Sequence, residues 1–235
     1  MFENIEDHSV EPIFTIISNH PYTMSKSLQL IDPNLASIDF DKMGNLINRT
    51  PDMLIVCDVG LSSEEKTKLV ACMAILVNKV SFSICLSNDT QDNALLEYVT
   101  TVCMLPSDMD TCEAINKISN SLIESVVLQP LLASLFDDMH LYFKGKGTTQ
   151  YREALVQGER RIEKAMNIIN SDQDLSTVAI LAKGGRDILL DECEVIINAV
   201  EEMSFPSSAT FVAIKVCPYF KSGEILVSAF LCDSH

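Results

Sequence analysis

The amino-acid sequence predicts an α/β fold in two halves joined by a long helix. Three observations carry that prediction. Over residues 1–110, short apolar runs alternate with helical patterns, as expected for parallel strands joined by crossover helices. A helical repeat then runs from Asp110 or Thr111 until Pro130 stops it, giving a bridge over 111–130. Residues 131–235 continue with helices and alternating strands, which predicts an α+β half with a mixed sheet.

In the first half the predicted strands are Ile13 to Ile17, Met53 to Asp58, Val80 to Leu86 and Val99 to Leu105. Between the second and third, Leu69, Cys72, Met73 and Leu76 share one helical face. That helix starts at Ser62, with Glu65 at the spacing of a capping box. The bridging helix carries Ile115, Ile118, Leu122 and Val126 at helical spacing. Beyond it, Leu155, Ile162, Ala165, Met166 and Ile169 define an amphipathic helix, followed by a strand from Thr177 to Leu181. A further helix runs from Asp191 to Met203, with Asp191 and Glu194 in capping positions. Two alternating strands, Thr210 to Val216 and Ile225 to Leu231, close the chain about a turn at Pro218 and Gly223. There is no internal repeat.

With 235 residues, 47% of them hydrophobic, the chain has enough apolar material for a substantial core. The net charge of −16 repels nucleic-acid phosphate and anionic lipid, so neither nucleic acid nor direct membrane binding is expected. Eight cysteines form no C-x-x-C pair, and most lie in apolar runs; they read as small buried hydrophobes in a reducing cytoplasm rather than as metal ligands. No long apolar span or signal peptide is present, so a cytoplasmic location is expected. The acidic stretch Glu3, Glu6, Asp7 and Glu11 reads as a solvated terminus.

Three stretches of the second half share an ordered spacing: Leu131-Leu132-Ala133-Ser134-Leu135-Phe136-Asp137-Asp138-Met139, then Gly158-Glu159-Arg160-Arg161-Ile162-Glu163-Lys164-Ala165, then Asp174-Leu175-Ser176 leading to Lys183-Gly184-Gly185-Arg186-Asp187-Ile188-Leu189-Leu190-Asp191-Glu192. Together they resemble FtsZ, the tubulin homologue that polymerises in bacterial cell division. The first stretch is similar to the family's synergy loop, the second to a helix opening Gly-Glu-Asp-Arg-Ala-Glu-Glu-Ala, and the third to its strand, glycine turn and following helix. In the first half, Phe14-Thr15-Ile16-Ile17 is similar to the family's first strand, with its glycine-rich turn falling on Ser18-Asn19-His20-Pro21-Tyr22. Asp52 to Leu86 is similar to its strand, phosphate loop, helix and strand, and Leu105-Pro106-Ser107-Asp108 to its Ile-Pro-Asn-Asp segment. The resemblance implies a shortened tubulin/FtsZ-like Rossmann-type first domain (1–110), a central helix (111–130) and an FtsZ-like second domain (131–235).

The same resemblance marks a loss. The family carries Gly-Gly-Gly-Thr-Gly-Ser/Thr-Gly after its strand, because backbone N–H groups must converge on phosphate oxygens at positive φ and without side chains in the way. Here the segment reads Cys57-Asp58-Val59-Gly60-Leu61-Ser62-Ser63-Glu64-Glu65-Lys66. Only Gly60 remains, and Leu61, Ser62, Ser63, Glu64 and Glu65 replace the rest. The two carboxylates sit at the positive end of a helix, where a phosphate would otherwise bind. No bound cofactor, no metal and no catalytic residue is therefore expected: a pseudo-GTPase. In the synergy loop, FtsZ's Asn-x-Asp-x-x-Asp becomes Ala133, Leu135 and Asp138, so catalysis in a neighbouring subunit should be poor.

The surface carrying Leu135, Phe136, Asp137, Asp138 and Met139 is the expected partner contact, although Asp137 and Asp138 also read as ordinary solvated loop residues. The expected partner is FtsZ or another tubulin-like protein, whose filaments this chain would cap or regulate. The alternative is a structural protein that self-associates without nucleotide. A third reading, an enzyme built on Cys57 and Asp58 at a strand end, has no second group placed to activate them. Lys183, Gly184, Gly185 and Arg186 read as a polar turn rather than an anion site. The flexible tail by which FtsZ reaches membrane tethers is not seen after the last strand.

Overall fold

Strands form where the apolar runs place them, and their order in the sheet follows from crossover helices. The computed structural model describes residues 12–31, 34–47, 50–89, 94–128, 130–133, 139–145, 147–170, 175–203 and 210–233. The first half comprises β1 (Phe14–Ile17), α1 (Lys26–Ile31), β2 (Leu35–Ile38), β3 (Met53–Cys57), α2 (Ser63–Leu76), β4 (Phe82–Ser87) and β5 (Thr101–Met104). Strands β1, β3, β4 and β5 are parallel neighbours, with Phe14 opposite Met53, Met53 opposite Phe82 and Ile84 opposite Thr101. Both faces of these strands are covered, which is why β3 reads as an unbroken apolar run and is buried throughout. Strand β2 adds parallel to the outer side of β1; its Ala36 and Ser37 are exposed, so no apolar run announces it in the sequence.

The bridge is α3 (Thr111–Val127), capped by Asp110, whose carboxylate accepts the Cys112 and Glu113 N–H groups. After it come β6 (Pro130–Ala133), α4 (Met139–Phe143), β7 (Thr148–Gln157), α5 (Arg161–Ile169), β8 (Leu175–Gly184), α6 (Leu190–Met203), β9 (Phe211–Val216) and β10 (Glu224–Asp233). The ten described strands form one mixed sheet in the order β2-β1-β3-β4-β5-β7-β10-β8-β9-β6. The two halves join where β5 and β7 pair in parallel, from Val102 opposite Thr148 to Met104 opposite Gln150. The core is continuous across this seam. Phe82 of β4 packs on Phe143 of α4 at 5.2 Å between ring centroids, and Phe143 packs on Phe230 of β10 at 5.5 Å.

Three sequence expectations are corrected. Leu155 belongs to β7 and is 64% exposed; Gly158, at φ +88°, breaks the strand, and the helix starts only at Arg161. Helix α6 begins at Leu190, and the bond at its start comes from Glu192, whose Oε2 accepts the Leu189 N–H at 2.9 Å, instead of from Asp191 or Glu194. Strands β9 and β10 are not neighbours: β8 lies between them, parallel to β9 and antiparallel to β10. The Pro218–Gly223 segment therefore crosses the end of β8, where the Cys217 N–H donates to the Gly184 carbonyl at 2.8 Å.

Two lysines hold the sheet to the bridging helix. Lys183 on β8 and Lys215 on β9 stand side by side in the register, both buried. Lys183 pairs with Glu124 of α3, and one turn further along Lys215 Nζ donates to the Leu128 carbonyl at the end of the same helix, 3.0 Å away. A cation is favoured at that end by the helix dipole, but burial still pushes the Lys215 ammonium down to about 8. The unfolded chain, with an ordinary lysine value near 10.5, then binds more protons than the native state between about pH 8 and 10.5. The Lys215 contribution to stability therefore rises with pH through that window. We expect Lys215→Met to remove that contribution, so that its urea-unfolding stability relative to the unaltered protein falls by about 1–3 kcal/mol between about pH 8 and 10.5; a difference between the two proteins that does not change with pH would refute it.

Candidate functional site

The carboxyl ends of β1, β3 and β4 and the amino end of α3 meet at one end of the sheet, where open α/β folds bind ligands. The turn out of β3 is made by Gly60 at φ +78°, a conformation that side-chain-bearing residues adopt at a cost. Leu61 then drops into the core under α2 and is only 9% exposed. Ser62 caps α2 in a complete capping box: its N–H and hydroxyl donate to Glu65 Oε2 at 2.7 and 2.8 Å, and its Oγ accepts the Glu65 N–H at 3.3 Å. These bonds hold the Glu65 carboxyl below its ordinary range. Glu64 pairs with Lys68 at 2.8 Å, which lowers its carboxyl likewise.

Beneath the loop, Asp58 is buried and Lys66 lies 3.8 Å from its carboxylate. Burial raises the Asp58 carboxyl, and the Ser87 hydroxyl and the Lys66 charge oppose it. The structure thus brings Gly60, Leu61, Ser62, Ser63, Glu64 and Glu65 together at the start of α2, with the donors of Ser62 and Glu65 already satisfied by the chain itself. Cys57 is 2% exposed, and burial pushes its thiol up to about 11, which disfavours a nucleophilic role.

The turn after β1 is tied down by a polar stripe on α3 that the sequence reading missed. The Tyr22 hydroxyl and the Ser25 N–H donate to Asn120 Oδ1 at 2.6 and 3.0 Å, and the Thr23 N–H donates to Asn116 Oδ1 at 2.7 Å. The Ser25 hydroxyl donates to Glu124. Asn116, Asn120 and Glu124 recur every four residues, so a search for a polar face opposite the apolar one would have found the stripe.

The second predicted surface is placed only in part. Leu135, Phe136, Asp137 and Asp138 lie outside the described residues, as do Glu3, Glu6, Asp7 and Glu11. Met139 opens α4 and is 1% exposed: it is a core residue, not a surface contact, because α4 packs its Met139 and Phe143 into the main core. Ala133 pairs with Ala213 in the sheet. Lys183 and Gly184 lie within β8, and Lys183 is ion-paired, so the polar turn keeps only Gly185 and the exposed Arg186. Beside that turn the buried Arg161 binds Glu192 at 2.7 Å and Asp187 at 2.9 Å.

Two clefts flank Lys117, which bridges Glu113 and Glu153 at 3.1 and 2.9 Å. One, of about 490 Å³, lies between α3, β7, β8 and the loop at Tyr219; the other, of about 680 Å³, lies between the 104–109 loop and β7. Among the described residues no cluster of three or more His, Cys, Asp or Glu is placed to hold a metal, and no helix is long and apolar enough to cross a membrane.

No protein-family model matches the sequence, and no curated protein matches it. Solved structures do. A point mutant of FtsZ from M. jannaschii superimposes with a TM-score of 0.71 at 12% identity, covering 95% of this chain and 91% of that one. An FtsZ dimer from the same organism, described as empty, gives 0.69 at 11% identity over 96% and 89%. CetZ2 from Haloferax volcanii, a GTPγS-bound protofilament, gives 0.50 at 13% identity over 95% and 84%. The mixed ten-stranded sheet and its helices are those of the FtsZ/tubulin-like fold.

Proposed function

We propose that this chain is a non-catalytic FtsZ-like protein that binds no GTP and regulates or caps FtsZ-type filaments. The observation that carries this reading is the closed capping box at the start of α2, in the place where the sequence resemblance puts a phosphate loop. An arriving phosphate must displace the Glu65 carboxylate from the Ser62 N–H and hydroxyl, which it already occupies. It must also face two like charges, Glu64 and Glu65, in the first turn of the helix. Lys66 offsets part of that repulsion but supplies no backbone cradle.

In a head-to-tail filament each subunit needs two unlike faces, and a subunit with one working face ends the chain it joins. Here the working face is the one carrying Leu135, Phe136, Asp137 and Asp138 in the 131–235 half, and the partner is FtsZ or another tubulin-like protein. A second reading, nucleotide-independent self-association, is favoured by the likeness to an FtsZ dimer described as empty.

Calorimetry with GTP should register no binding, and a micromolar affinity would overturn the pseudo-GTPase reading. Substoichiometric protein should lower the light scattering of assembling FtsZ; unchanged polymer at an equimolar ratio rules out capping. Sedimentation of the protein alone separates the two readings, since a capper stays small and a self-assembler does not.

A further inference from the structure

Seven of the eight cysteines are buried; Cys112, in the first turn of α3, is the one that is partly open. Its Sγ lies 3.7 Å from His20 Nδ1, within hydrogen-bond reach for sulfur. The other ring nitrogen, Nε2, is 3.3 Å from the Val59 carbonyl oxygen. A carbonyl only accepts, so Nε2 carries the hydrogen and Nδ1 turns its lone pair to the thiol. The histidine is fixed from behind, because its own N–H donates to Ser18 Oγ at 2.9 Å. A nucleophile, a base and an acceptor that orients the base are thus assembled from α3, the turn after β1 and the turn after β3.

We propose that Cys112 and His20 form a thiol–imidazole pair that reacts with small uncharged or cationic disulfides, making Cys112 a site of reversible S-thiolation. The Cys112 S–H proton passes to His20 Nδ1, and the sulfur attacks one sulfur of the reagent. The reagent's S–S bond breaks as the new one forms, and the departing thiolate takes up the imidazolium proton. Atoms and electrons balance with the disulfide as the only co-reactant. The preference against anionic reagents follows from the setting: Asp110 Oδ1 accepts the Cys112 N–H at 2.9 Å, and Glu113 is the next residue. The other thiols do not compete. Burial pushes Cys57 up to about 11 and Cys103 up to about 12, and raises Cys72 and Cys193 as well. Neither residue belongs to the proposed filament contact, so the pair holds whether or not the chain binds FtsZ.

The test is native-state labelling with dithiodipyridine, an uncharged disulfide whose released thione absorbs light, followed by peptide mapping. One thiol of the eight should react in a fast phase, map to Cys112 and vanish in Cys112→Ser. His20→Ala should slow that phase about tenfold or more, and added imidazole should restore part of the rate, which a merely structural role for His20 would not allow. Dithiobis(nitrobenzoate), a dianion, should react more slowly than dithiodipyridine at the same site. A fast phase on another cysteine, several thiols reacting at one rate, or an unchanged rate in His20→Ala overturns the proposal. Should His20→Ala fail to fold, His20→Gln supplies the same comparison, and a rate unchanged in it overturns the proposal.

Discussion

A carboxylate enclosed by protein has to be neutralised by groups from elsewhere in the chain, and Glu124 of α3 is such a carboxylate. It is 1% exposed and receives the Lys183 ammonium from β8 on one oxygen and the Ser25 hydroxyl on the other. Ser25 lies at the start of the first half's helix α1, and Lys183 in the second half's sheet. The three together fix where the bridging helix stands against both. Removing one partner from a buried ion pair typically costs about 3–5 kcal/mol, because the survivor is left charged and unsolvated. Such a pair adds little to net stability, because the cost of taking two charges out of water offsets much of their attraction.

The helix so held serves two neighbourhoods at once. Toward its amino end, Asn116 and Asn120 hold the turn after β1, and with it His20, against the ends of β1 and β3. Further along, the Ser121 hydroxyl joins Tyr151 and Ser228 of the second half's strands in a buried network of hydroxyls at 3.0–3.2 Å. Burial and the nearby Glu153 raise the Tyr151 phenol, so it stays a neutral donor to its neighbours. One face of the helix is thus apolar and anonymous, whereas the other is a row of specific polar contacts that sets the geometry of the candidate site.

What could be read from the sequence was local. Ser62 and Glu65 form the capping box that their spacing announces, and Asp110 and Pro130 mark the helix between them because each acts within a turn of its own position. Beyond that range the reading failed for physical reasons. Leu155 has the right spacing for the helix that follows but belongs to a strand, since Gly158 breaks the chain between them. The order of β8, β9 and β10 depends on pairings that no turn residue encodes. Lys183 and Glu124 are 59 positions apart, and His20 and Cys112 are 92 apart, so both contacts exist only once the sheet is assembled.

The seam between β5 and β7 has a mechanical meaning. Three register pairs join the strands there, whereas nine join β7 to β10 on the other side. A load drawing the two halves of the sheet apart meets only those three pairs, Val102 to Met104. Tearing would start there, leaving each half of the sheet intact and the bridging helix as the last tether between them.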